Sequence, residues 1–122
     1  MNQALDNILR RSGRVTVLQG LCPTGADHMA HQWVTMRSRT GLVSEVGFPA
    51  NWDKHGRQAG FMRNEQMVQS GADLVLAFAL PCRRRTRWCP PGLHASHGTA
   101  DCVRRARKAE IKVFFSPHGL KW

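Results

Sequence analysis

Apolar positions along this chain switch between helical and strand spacing. Ala4, Leu5, Ile8 and Leu9 recur at the interval that builds one face of a helix, and Gly13 supplies a stop. Residues 14–19 read as a strand. Residues 26–37 read as a helix with Met29, Ala30, Trp33 and Val34 as its buried stripe, and Gly41 stands near the following turn. A strand over 43–48, a helix over 60–70 and an almost continuous apolar strand over 73–79, suited to burial on both faces, come next. A helix over 98–109 and a strand over 111–115 end the pattern. Strands alternating with helices predict an α/β fold: a mainly parallel sheet of about four strands with helices on its faces. Right-handed crossovers then gather the loops after the strands along one edge, the usual ligand site of such sheets.

Composition narrows the class. A chain of 122 residues with 42% hydrophobic positions makes one domain, spanning 1–122, with a real core. No apolar run approaches a bilayer span and the N-terminus has no signal-peptide apolar region, so a cytoplasmic protein without membrane contact is expected. In that setting the four cysteines read as thiols or metal ligands before disulfides. The formal charge is +10, and nine of the eighteen Lys and Arg lie between Arg83 and Lys112. Such a region could attract polyphosphate or nucleic acid in a salt-dependent way; the alternative is a solvated face of the last helix plus a soluble loop.

Candidate chemistry concentrates in three places. Between Phe48 and Met67, a loop holding Trp52, Gly56 and Gly60 leads to Arg63 and Asn64. The glycines let backbone N–H groups approach a ligand, and Arg63 adds a fork of donors near a helix start that already favours an anion. The alternative is a long surface loop whose Trp52 plugs the core. The turn from Gly20 to Asp27 is a second phosphate contact: Thr24 can cap the helix it precedes, Gly25 permits close approach, and Asp27 could orient a ribose hydroxyl or a backbone group. Thirdly, Cys82-x6-Cys89-x4-His94-x2-His97 lies in a loop over about 81–97 that is studded with Arg and Pro. Two thiols and two imidazoles are a complete tetrahedral set for a structural zinc. Free thiols and solvent-exposed histidines are the alternative, as is a ligand contact for His97.

The Trp-x3-Gly-x2-Ala-Gly-x2-Arg-Asn run from Trp52 to Asn64 resembles the signature of the YspA/CpYpsA-related branch of the SLOG superfamily. That superfamily unites Rossmann-like domains similar to the phosphoribohydrolase LOG and the DNA-processing protein DprA. Val17 to Gly20 followed by Thr24 to Asp27 resembles its first glycine-rich turn. Ala72 to Phe78 looks like its next core strand, and His97-Gly98-Thr99 followed by Ala100 to Ala106 looks like its Gly-Thr helix start. The resemblance implies a Rossmann-like three-layer domain that lacks the family's usual first strand, and with it a homodimer or higher oligomer, since an unpaired central edge is costly.

It also implies a ligand site of Gly20, Thr24, Gly25, Asp27, Trp52, Gly60, Arg63, Asn64, Gly98 and Thr99 for a nucleotide-derived phosphate. Arg63 is then the clamp, Asn64 an orienting amide, and Trp52 a stacking wall. In LOG-type hydrolases a glutamate beside the nucleotide works with an arginine matched here by Arg63, but the glutamate position matches Cys102. A thiol does not replace that carboxylate, and Asp101 projects about 100° away around the helix. No catalytic residue is therefore assigned and binding without hydrolysis is expected, with a phosphoribohydrolase and a DprA-like nucleic-acid module as rivals.

Overall fold

The computed structural model describes residues 2–80, 82, 83, 86, 87, 89 and 94–116. Arg84 and Arg85 of the basic run lie outside the described residues. The protein is mixed α/β with short parallel strands, and it divides into two compact units, Met1–Ala50 and Asn51–Trp122.

The first unit runs α1 (Asn2–Ser12), β1 (Val15–Gln19), α2 (Gly25–Arg37), a 3-10 turn (Ser38–Thr40) and β2 (Val43–Gly47). Helix α1 buries Leu5, with Ala4, Ile8 and Leu9 partly covered. It ends where Gly13, at φ +76, donates its N–H to Leu9 O at 2.8 Å. Strands β1 and β2 pair in parallel from Val15 opposite Val43 to Gln19 opposite Gly47. Helix α2 buries Ala30, Trp33 and Val34, but Met29 of the expected stripe is exposed. It sits about 90° around the helix from the centre of the other three, at the stripe's edge. Trp33 donates its indole N–H to Asp6 Oδ1 at 2.9 Å, and Arg37 donates to the same oxygen at 2.9 Å while stacking 4.7 Å above the indole. One carboxylate thus fastens α1 to α2.

The second unit runs α3 (Trp52–His55), a 3-10 turn (Gly56–Gln58), α4 (Ala59–Ser70), β3 (Leu74–Phe78), α5 (His97–Lys108) and β4 (Lys112–Ser116). The glycine-rich stretch expected as loop is helical over most of its length, because the Asn51 side chain accepts the Lys54 N–H at 3.1 Å and caps a first turn. Strands β3 and β4 pair in parallel, Leu74 opposite Lys112 through Phe78 opposite Ser116. Helix α5 presents Ala100, Val103 and Ala106 at helical spacing; Ala100 and Val103 close a core with Ala77, Ala79, Ala95 and Phe115. Full burial of β3 does not follow: Ala77 is buried, while Leu74, Val75, Leu76 and Phe78 are only partly covered. The small residues take the closest approach and the larger ones lie beside it. Among the described residues no helix is long and apolar enough to cross a membrane.

Candidate functional site

In the second unit, Trp52 opens α3 with 59% of its surface exposed. Its indole lies across the first turn of α4: a Cβ on Gly60 would stand 3.3 Å from Trp52 Cη2 and 4.0 Å from Arg63 Nη2. Gly60 therefore makes room for an aromatic face beside a guanidinium, since positions three apart on a helix share one side. Arg63 donates through Nε to Asn64 Oδ1 at 3.1 Å. Asn64 is only 3% exposed, and its Nδ2 donates to Gly98 O and to Asp101 Oδ2, both at 3.1 Å. A carbonyl only accepts, which sets the orientation of the amide. Asn64 thus fastens α4 to the first turn of α5 and braces Arg63. Asp101 also accepts from Arg105 Nε at 2.8 Å, a contact that holds the Arg105 guanidinium further toward its charged form. Thr99 Oγ1 accepts from the Ser96 hydroxyl at 3.1 Å, and the space above the Gly98 Cα is open.

The turn into α2 is built differently from the expectation. Thr24 stands at the N-cap position but its side chain makes no capping bond. Asp27, three positions on, reaches back to accept the Cys22 N–H at 3.2 Å and closes the loop instead. Gly25 takes φ +74, which admits the chain into the helix at a conformation that penalises a side chain. Gly20 is buried. Leu21 takes φ +59, gives its N–H to Gln19 Oε1, and lies over Gly47, where a Cβ would come within 2.7 Å of it. Gln19 is buried and donates to Glu45, whose carboxylate meets His31 Nδ1 at 3.0 Å. Sequence reasoning missed this trio. Its signal was Glu45 two residues after buried Val43, a carboxylate on the inward face of a strand.

Ahead of α5 the chain gathers Cys82, Cys89, His94 and His97, with one ligand atom from each all within 4.8 Å of one another. His97 Nε2 stands 3.4 Å from both sulfurs. The His94 and His97 rings stack at 5.6 Å and 10°. His94 is 4% exposed. Its Nδ1 lies 3.0 Å from Ala95 O and must donate there, so that in the neutral imidazole Nε2 is the bare nitrogen. That buried Nε2 has no hydrogen-bond partner among the described residues. Cys89 belongs to a tight turn in which its N–H donates to Thr86 O at 3.1 Å and the Thr86 N–H donates to Sγ at 3.1 Å. The Thr86 N–H and then its hydroxyl favour the thiolate, partial burial opposes them, and the His97 imidazole adds less; the thiol is lowered to about 6.

Fold and clusters together define an α/β protein of short parallel strands that carries a converging two-cysteine, two-histidine set. No protein-family profile matches the chain, and no solved structure matches it. It is 39% identical over 113 residues to the Gene 61 protein of Mycobacterium phage D29, an overlap of 90% of this chain and 78% of the relative. The chain belongs to the family of that phage protein.

Proposed function

We propose that this protein binds a nucleotide or nucleotide-derived phosphate ligand without hydrolysing it, in a Rossmann-like fold of the three-layer kind. The observation that carries the reading is the exposed Trp52 face lying beside Arg63 over a bare Gly60, on a helix fastened by Asn64 to the first turn of α5. An aromatic plane suits a base, a guanidinium suits a phosphate, and a helix start at Gly98 and Thr99 favours negative charge. The turn from Gly20 to Asp27 is a second candidate anion contact. A cytoplasmic setting, where thiols stay reduced, suits the same reading. Assembly as a homodimer belongs to it as well, and native mass spectrometry reads it.

Hydrolysis is disfavoured by Cys102 at the position of the expected glutamate, so the unmodified protein should release no free base from a panel of nucleoside monophosphates. The binding test is Arg63→Ala in calorimetry against the same panel. Losing charge-assisted hydrogen bonds worth about 1.5–3 kcal/mol should weaken binding by roughly 10- to 150-fold. The melting temperature should hardly move. Wild-type affinity in that variant would remove Arg63 from the site. A nucleic-acid module would show itself through oligonucleotide binding that falls steeply with salt, ignores Arg63 and depends on the exposed Arg104, Arg107 and Lys108 of α5.

A further inference from the structure

We propose that Cys82, Cys89, His94 and His97 form a closed structural site for one zinc ion, which locks the start of α5 to the segment that precedes it. Three independent features converge on this assignment.

The first is geometry. Zinc bonds to sulfur and nitrogen of about 2.3 and 2.0–2.1 Å at tetrahedral angles require sulfur and nitrogen ligands to stand about 3.6 Å apart. The two sulfurs stand 3.4 Å from His97 Nε2, and all four ligand atoms fall within a 4.8 Å cluster.

The second is the orphaned nitrogen. His94 is almost fully buried, donates through Nδ1 to a backbone carbonyl, and leaves Nε2 with no hydrogen-bond partner among the described residues. A buried polar atom without a partner is unfavourable. Metal-bound histidines adopt this arrangement, with the far nitrogen tied to a carbonyl and the near one given to the metal.

The third is the frame. Cys82 N–H donates to His94 O at 2.8 Å and Ser96 N–H donates to Leu80 O at 2.9 Å, so the two ends of the segment are pinned side by side. Ala95, between the histidines' ends of that frame, is fully buried in the core with Val103 and Phe115. Three of the four ligands are therefore held by the pinned ends and the first turn of α5, and only Cys89 comes from the intervening loop, where the Thr86 turn aims N–H and hydroxyl groups at its sulfur.

Donor chemistry selects the ion. Two thiolates and two imidazoles exclude magnesium and calcium, which take oxygen, and suit zinc. Four protein ligands leave no open position, so the site orders the fold and performs no chemistry of its own. The choice open in the sequence for His97 also closes: its Nε2 points at the two sulfurs.

The experiment uses the full chain, expressed with added zinc and purified under reducing conditions without chelator. Elemental analysis should find one zinc per chain. Cys89→Ser should lose stoichiometric metal, while Cys22→Ser and Cys102→Ser keep it. Because a ligand variant could fail to fold, apo wild-type protein is also titrated with cobalt(II). A one-to-one endpoint with strong visible absorption and a thiolate charge-transfer band identifies a tetrahedral site containing sulfur. Protein that carries no zinc and gives a pale octahedral cobalt spectrum would overturn the assignment, as would loss of metal in Cys22→Ser or Cys102→Ser. Metal content is measured without nucleotide, so this result and the Arg63 result stand or fall separately.

Discussion

Both units of this protein pair two short parallel strands and set a helix between them in sequence, yet they are held together by different means. In Met1–Ala50 the link from β1 to α2 is short, and the helix anchors itself with a large side chain, Trp33, whose indole N–H is met by Asp6. In Asn51–Trp122 the positions that separate β3 from α5 along the chain, 79–96, are far more numerous. The helix there offers only Ala100, Val103 and Ala106 to the core. A short link is ordered by burial at its two ends, whereas a long polar one has too little apolar surface to offset its conformational entropy. The proposed zinc site would meet that difficulty in the second unit, where thiols and imidazoles converge.

Metal removal is the severest way to break the comparison. Zinc binding by isolated finger peptides is worth about 10–16 kcal/mol, which bounds from above what a chelator can withdraw. Hydrogen exchange should accelerate across residues 79–97 on chelation, while amides around Trp33 keep their protection. Equal loss in both units would mean that the difference between them is not one of metal dependence.

The complementary blow falls on the first unit. Trp33→Ala removes a side chain that is 1% exposed and takes from the Asp6 carboxylate its indole N–H donor, at an expected cost of about 3–5 kcal/mol in urea unfolding. Zinc content should be unchanged. A loss below about 1 kcal/mol would show that Trp33 does not anchor this unit.

Asn64→Ala sharpens the picture inside the second unit. It removes a buried amide together with its bonds to the Gly98 carbonyl and to Asp101, and should cost about 1–3 kcal/mol. Ligand affinity should fall with it, because Arg63 loses its brace. The smallest effect belongs to Glu65→Ala. Its 3.8 Å pair with Arg105 is half exposed, and Arg105 keeps the 2.8 Å bond to Asp101, so stability should move by less than about 0.5 kcal/mol. A larger loss would make Glu65 part of the α4–α5 fastening.

The helix and strand pattern was legible because it rests on local periodicity: Leu5 with its neighbours, and Ala30 with Trp33 and Val34, repeat at intervals that any helix must bury. The Cys/His spacing was legible too, since four residues of metal-ligating type within sixteen positions stand out in a polar stretch. Turn details were not. Thr24 reads as a cap from its type and place, but Asp27 reaches the loop first and leaves the hydroxyl unused. Trp52 reads as either core plug or binding wall, and the folded chain leaves it 59% exposed with its indole beside Gly60.

The sequence by itself determined the order of helices and strands and the residue types available to each cluster, because backbone periodicity and donor chemistry are local properties. Tertiary structure alone decided which donors meet. Asn64 finds Gly98 thirty-four positions away, Glu45 lies between Gln19 and His31, and Cys82 comes within 3.4 Å of His97. Such encounters depend on how helices and loops fold back on their strands to satisfy buried polar atoms, and no spacing along the chain encodes that distance.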